Sequence, residues 1–270
     1  MKIGVCETDL PGMLPATLQW AAAEGIEGVQ VWKHDLDKAG LNGPALRTIA
    51  DDLGVAITAV GGGPKMVDPE VAADTVDEFR QFFDLAAELG TPIVTAESKI
   101  KPRRIADSEA WDTLVKVTSA ICAHAESYDG AVLAIEPSGK CVIDTVVRWR
   151  KLVADVDSPI LKINHDPANL AFYGVDPCSP EQLPAGEIVH VHAKDVRRAA
   201  PADDRNARME AVAAGDGIVG YASYLRRLRD IGFDGWLTIE MHPTDGDVTG
   251  LVRRSVSNLR ELIQEMSLDA

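Results

Sequence analysis

The sequence predicts an α/β chain closed into a single (β/α)8 TIM barrel. Three observations carry that prediction. Short apolar, β-branched runs recur eight times along 270 residues, about 33 residues apart, close to the roughly 30 residues of one βα step. Runs such as VAITAV and AVLAIE do not alternate apolar with polar residues, which suits strands covered on both faces. The segments between them have helical period, so strands and helices alternate and the sheet is parallel. A doubly wound open sheet is the rival. Eight regular units, an N-terminal strand and a C-terminal helix favour the barrel. No Gly/Ser linker or composition shift divides residues 1–270. They read as one domain with an extended loop around 193–217, placed for a lid or substrate clamp.

The elements follow in order. Lys2–Cys6 is the first strand; MKIGVCETDL lacks an apolar run of signal-peptide length, so it is not read as a targeting segment. Pro11–Glu24 is helical, with Leu14, Leu18 and Ala21–Ala22 on one face. Glu27–Trp32 is the second strand. Asn42–Leu53 is a helix with an N-cap asparagine, an early Pro44 and a stop at Gly54. Val55–Val60 is the third strand, followed by Gly61–Gly63 and a long helix, Pro69–Leu89, striped by Val76, Phe79, Phe83 and Leu85–Ala86. Pro92–Ala96 precedes the helix Ser108–Tyr128, and Ala131–Glu136 precedes Thr145–Val156. Ile160–His165 is the sixth strand, with a short helix expected within Pro180–Pro184. Glu187–His192 leads through the long loop to the helix Tyr221–Ile231, and Trp236–Glu240 leads to the closing helix Val248–Met266. Trp111 and Trp149 fall on helices and read as helix–barrel packing.

Composition narrows the function. The 42 acidic against 27 basic residues give a net charge of −15, which repels phosphate backbones and argues against a nucleic-acid partner. No stretch of about 20 apolar residues predicts a membrane span. Cys6, Cys122, Cys141 and Cys178 form no CxxC pair, the pattern of free thiols in a reducing cytoplasm. A small-molecule substrate is expected, and a homo-oligomer is compatible with the sequence.

Active sites of such barrels stand at the C-terminal ends of the strands. The fifth to eighth strands end in Glu136, Asp166, His192 and Glu240. Neighbouring strands lie about 5 Å apart, so the four heads can converge. Three carboxylates packed with an imidazole need a positive charge among them, which a divalent cation supplies. Oxygen and imidazole ligands without thiolates favour Mn²⁺, ahead of Mg²⁺, Co²⁺ or Zn²⁺. The alternative is that Glu136 and Glu240 pair with helix residues and Asp166 caps a turn. Four such residues at matched strand ends outweigh it.

The runs VLAIEP, NHDPANL, VHVHAKD and GDGIVGYASYLRRLRDIGFDGWLTIE resemble the sugar-phosphate isomerase/epimerase family, whose fold is the xylose isomerase-like TIM barrel. The resemblance spans almost the whole chain and is strongest from Ala131 to Met241. It implies one divalent metal held by Glu136, Asp166, His192 and Glu240, with Glu136 and Glu240 as the acid/base pair. The family includes tagatose and allulose 3-epimerases, hydroxypyruvate isomerase, inosose dehydratase and, more distantly, endonuclease IV. Two positions depart from the family's pattern. Asn169 stands where many sugar 3-epimerases carry a substrate-contacting His, and Gln30 stands where the second strand often ends in Glu. Gln30 is read as a neutral rim residue. The multi-histidine set of endonuclease IV is missing, in keeping with the acidic charge.

The implied chemistry is proton transfer next to a carbonyl through a metal-stabilised enediolate. Return of the proton gives epimerisation or isomerisation of a sugar or keto-polyol. Loss of a β-hydroxyl gives a dehydratase of the inosose or dehydroshikimate type instead. A third alternative is a non-catalytic or partner-dependent barrel subunit. Substrate contacts are expected from Asn169, Lys194, Trp32, Glu97 and His242 and, by resemblance to the family's loop arginine, from Arg197 ahead of Arg198, with Glu7 and Lys65 at the same mouth. His190 reads as a buried histidine one layer deeper, and His165 as an outward packing residue. Gly61–Gly63 lacks the Gly-Lys-Ser/Thr ending of a phosphate loop and reads as backbone room near the ligand.

Overall fold

The structure is a computed structural model, and it describes residues 1–10, 12–199, 209–241 and 247–268. Alternation along each strand sorts side chains onto two faces. Ile3 and Val5, Val29 and Val31, and Leu133 and Ile135 are buried in one cluster with helix residues such as Leu18, Leu46, Phe79, Leu114, Trp149, Leu228 and Leu259. Burial of each such side chain contributes about 1.5–3 kcal/mol, which holds the helices on the strands. A second, small cluster packs Ala59, Ile93 and Ala134 against Val132 and Val189. Val132, Ala134 and Glu136 share one face of their strand, so the side that holds this small cluster leads up to a carboxylate.

The barrel strands are β1 (Lys2–Cys6), β2 (Gly28–Trp32), β3 (Ala56–Gly62), β4 (Ile93–Glu97), β5 (Val132–Glu136), β6 (Leu161–His165), β7 (Ile188–Ala193) and β10 (Trp236–Ile239). They close in the order β1-β10-β7-β6-β5-β4-β3-β2, and each pairing is parallel. Closure excludes the open doubly wound sheet. Between β7 and β10 lies an antiparallel pair, β8 (Asp195–Arg198) and β9 (Met209–Val212).

The helices are α1 (Ala16–Ala23), α2 (Lys33–Ala39), α3 (Gly43–Leu53), α4 (Ala72–Leu89), α5 (Asp107–Ala125), α6 (Val146–Val156), α7 (Pro167–Phe172), α8 (Tyr221–Asp230) and α9 (Val248–Leu268). Asn42 caps α3 by accepting from Ala45 N at 2.9 Å. Gly54 and Gly90 close α3 and α4 in the left-handed conformation. Three elements differ from expectation. Residues 180–184 form turns rather than a helix. The short helix after β6 is α7, begun by Asp166, whose Oδ1 accepts from Ala168 N and Asn169 N, with Pro167 at its first position. Helix α2 follows β2 directly and was not expected.

Trp149 is buried and donates to Lys162 O on β6, as helix–barrel packing requires. Trp111 instead bridges helices: its Nε1 donates to Asp155 Oδ2 and Lys151 Nζ lies 3.8 Å from its ring. Among the described residues, no helix is long and apolar enough to cross a membrane.

Candidate active site

Alternation places Cys6, Gln30, Thr95, Glu136, Asn164, His192 and Thr238 on inward faces. Between Ile163 and Asn164 the register against β7 shifts, which re-aims the end of β6. Asn164 then stands opposite His190, and Asp166 follows two residues later. The end of β10 is pinned where Met241 N donates to Asp9 Oδ2 at 2.6 Å, which fixes Glu240 beside β1.

Three of the predicted ligands come together directly: carboxylate oxygens of Glu136, Asp166 and Glu240 all lie within 4.8 Å of one another. His192 belongs to an overlapping group with Cys6 and Glu240. Its Nδ1 is 2.8 Å from Glu136 Oε2 and 3.5 Å from Glu240 Oε2. Its Nε2 meets Gln30 Oε1 at 3.0 Å, across the barrel. Gln30 is therefore not on the rim. It is fully buried, is held by Thr95 Oγ1 through its Nε2, and orients the imidazole.

Lys194 sits among the same carboxylates, with Nζ 3.0 Å from Asp166 Oδ2 and 2.5 Å from Glu240 Oε2. Asp166 splits its duties. Oδ1 caps α7, while Oδ2 is buried without a directed hydrogen bond and faces the Lys194 ammonium. An ammonium thus stands in the place for a positive charge. The donor set of three carboxylates and an imidazole, one carboxylate oxygen lacking a hydrogen bond, fits a divalent cation.

Electrostatics follow the packing. Burial pushes the Glu136 carboxyl up, and Glu240 and Asp166 add to this while His192 opposes it. Burial draws the His192 imidazole down, but Glu240 and Glu136 outweigh it and the net shift is upward. Burial also opposes the charge on Lys194, yet Asp166, Glu240 and Glu136 hold its pKa well above the usual lysine value.

Sequence reading missed Asn164, though it lies on the same face as Asp166, two residues earlier. Its Nδ2 donates to Glu136 Oε2 at 2.9 Å and lies 3.1 Å from His192 Nδ1. Its Oδ1 meets His190 Nδ1 at 2.9 Å. Asn169 Nδ2 donates to Glu136 Oε1 at 2.7 Å. Both oxygens of Glu136 are therefore held by amide donors. His190 is buried and its Nε2 reaches Thr238 Oγ1 at 2.8 Å, a structural layer below the site. His165 faces outward onto Tyr224 Oη at 2.7 Å.

Above the carboxylates opens a cavity of about 1180 Å³. Trp32, Glu97, Asn169 and Lys194 line it, as do Lys33, Asp37, Phe82 and Lys99. The triple glycine makes room for its aromatic walls. A Cβ on Gly61 would lie 2.0 Å from the Trp32 ring, and one on Gly62 2.0 Å from the Phe82 ring. Arg197 is not brought to this cavity: it is exposed on β8 and pairs with Glu210 on β9 at 3.1 Å. Lys65 does not line it either. His242 lies outside the described residues.

Glu7 is also not at the mouth. It is buried beside the cavity, hydrogen-bonded to Asp35, and its Oε1 accepts from Trp32 N at 3.3 Å. Burial and the Asp35 carboxylate raise its pKa from 4.5 to about 9. The folded value exceeds the unfolded one, so this contribution to stability is complete below pH 4.5 and is lost as pH rises through about 9. Glu7→Gln keeps a donor toward Asp35 and an acceptor for Trp32 N without titrating. Between pH 6 and 9, urea unfolding of the wild type is expected to lose stability relative to Glu7→Gln, by up to about 1.4 kcal/mol per pH unit. Parallel profiles for the two proteins would refute the shared proton.

The comparisons agree with the barrel. The sequence model of the xylose isomerase-like TIM barrel matches residues 18–262. A 3-dehydroshikimate dehydratase of Pseudomonas putida is 24% identical over 97% of this chain and 41% of its own length. A 2-epi-5-epi-valiolone 7-phosphate 2-epimerase of Actinoplanes sp. is 28% identical over 65% of this chain and 65% of its own length. The chain thus spans less than two thirds of either relative. Among solved structures, the IOLI protein with a bound zinc atom superposes with a TM-score of 0.82 at 17% identity, covering 98% of this chain and 99% of that one. Barrel, strand-end carboxylates and family match converge: the chain belongs to the xylose isomerase-like TIM barrel family.

Proposed function

We propose that the chain is a divalent-metal-dependent isomerase or epimerase of a sugar or keto-polyol. The observation that carries this reading is the convergence of Glu136, Asp166 and Glu240 within 4.8 Å, with His192 against two of them. These four residues would hold the metal, with Mn²⁺ favoured by the ligand set and Zn²⁺ by the IOLI neighbour. Bound there, the ion supplies Lewis-acid polarisation of a substrate carbonyl.

The chain's own residues then move the proton. Glu136, held at both oxygens by Asn164 and Asn169, is fixed in direction and faces the cavity. Glu240, held against Lys194 and anchored through Met241, reaches the substrate from a different strand. One carboxylate removes the proton beside the carbonyl and the other returns one. Such acid/base work contributes roughly 10²–10⁴-fold.

A second reading, a dehydratase on the same residues, is favoured by the Pseudomonas putida relative, which aligns over 97% of this chain. One experiment tests both. The chain is stripped of metal, reloaded with Mn²⁺ and incubated in D2O with ketoses, ketose phosphates and inososes. Deuterium entering a recovered or isomerised substrate is the expected result. Deuterium accompanied by a product lighter by one water would select the dehydratase. No exchange with any substrate in the loaded protein would overturn the proton-transfer reading.

A further inference from the structure

We infer, on the strength of that proton-transfer reading, that the substrate is uncharged: a ketose or keto-polyol carrying neither phosphate nor carboxylate. The cavity's own charges point there. Carboxylates of Asp9, Asp37, Glu78, Glu97, Glu136 and Glu240 line it, against the ammonium groups of Lys33, Lys99 and Lys194. Each of these ammonium groups already faces a carboxylate. Lys33 pairs with Asp37 at 2.9 Å, Lys99 with Glu97 at 2.6 Å, and Lys194 with Asp166 and Glu240; with a divalent ion bound, the ion's two charges and that of Lys194 are matched by Glu136, Asp166 and Glu240 together. No arginine lines the cavity among the described residues. By sequence, the loop residues outside the description carry no net positive charge. Residues 200–208 hold two aspartates and two arginines, and residues 242–246 hold one aspartate and no lysine or arginine.

Among the described residues, two groups of backbone amides that could cradle an anion are already taken. In barrels of this class a phosphate site is often built from the loops after the seventh and eighth strands. Here the loop after β7 does build a cradle, and Asp195 of the chain itself fills it. Asp195 Oδ1 accepts from Val196 N at 2.9 Å and Val219 N at 3.2 Å. Its Oδ2 accepts from Gly215 N at 3.1 Å and Gly217 N at 2.9 Å. A Cβ on Gly217 would lie 2.2 Å from Asp195 Oδ1, so the cradle is closed tightly on this carboxylate. The N-terminus of α7 is likewise capped by Asp166.

An anionic substituent would therefore enter a field of its own sign in which, among the described residues, each lysine of the cavity already faces a carboxylate. Hydroxyl groups have the opposite prospect. They donate to the surplus carboxylates and to Ser138, and they accept from Gln81 and Asn169, all of which line the cavity.

The test measures kcat/KM for solvent deuterium exchange by the Mn²⁺-loaded full chain on matched pairs. A ketohexose is set against its 6-phosphate, and a keto-cyclitol against a carboxylated keto-cyclohexene. The uncharged member of each active pair is expected to lead by about 100-fold. Equal or better rates on the charged members would overturn the inference and leave the proton-transfer reading standing. No exchange on any member would remove that reading and the inference with it. Glu97→Gln separates charge from shape, because it releases Lys99. The ratio of charged to uncharged kcat/KM should rise about tenfold in that variant. An unchanged ratio would show that paired charges do not set the preference.

Discussion

Glu136→Gln and Glu240→Gln are each expected to lower kcat by at least about 10³-fold while the barrel stays folded. The substitution keeps side-chain volume and removes the titrating oxygen. At Glu136 it has a further consequence. Asn164 Nδ2 and Asn169 Nδ2 donate to opposite oxygens of the carboxylate, so a glutamine amide must turn its own donor toward one of them. That conflict costs about 1–3 kcal/mol and misdirects the side chain. Glu240 contributes to the same three-carboxylate group, so Gln there also weakens metal retention. The measurement pairs single-turnover rates with metal content per chain and circular dichroism. If either variant, folded and metal-loaded, turns over near the wild-type rate, that residue is not part of the acid/base pair.

Lys194→Ala is expected to destabilise the metal-free protein by about 3–5 kcal/mol, because it leaves buried carboxylates without their ammonium partner. Asp166 and Glu240 are both buried and both face Lys194 Nζ. A divalent cation seeks the same oxygens, so lysine and metal compete for them. The variant should therefore gain more stability from Mn²⁺ than the wild type gains. Urea unfolding of both proteins, stripped and metal-loaded, checks this. Equal stabilities in the stripped state would show that Lys194 does not neutralise the cluster. An equal metal-induced gain would show that lysine and metal do not share the site.

The sequence was most legible where one periodicity decides the matter. Glu136, Asp166, His192 and Glu240 are found from alternation along a strand plus one rule about barrel ends. Asn164 was recoverable on the same grounds, two residues before Asp166. Helix α7 was recoverable from Asp166-Pro167, a cap followed by a first-turn proline, although residues 180–184 attracted the prediction instead. Gln30 was not recoverable. Its contact with His192 spans 162 residues and exists only because the barrel closes.

By itself, then, the sequence determined eight buried strands, their spacing, and which side chains face inward, because burial on both faces and a two-residue repeat are local properties. Which inward residues meet was decided by tertiary structure. Closure brings Gln30 to His192 and Glu136 to Asp166 and Glu240. The path of the loop after β7 does the rest. It turns Lys194 down into the carboxylates, sends Arg197 out to Glu210, and folds its amides around Asp195. Charge and spacing alone cannot distinguish those three outcomes, because each depends on where a partner from another part of the chain comes to rest.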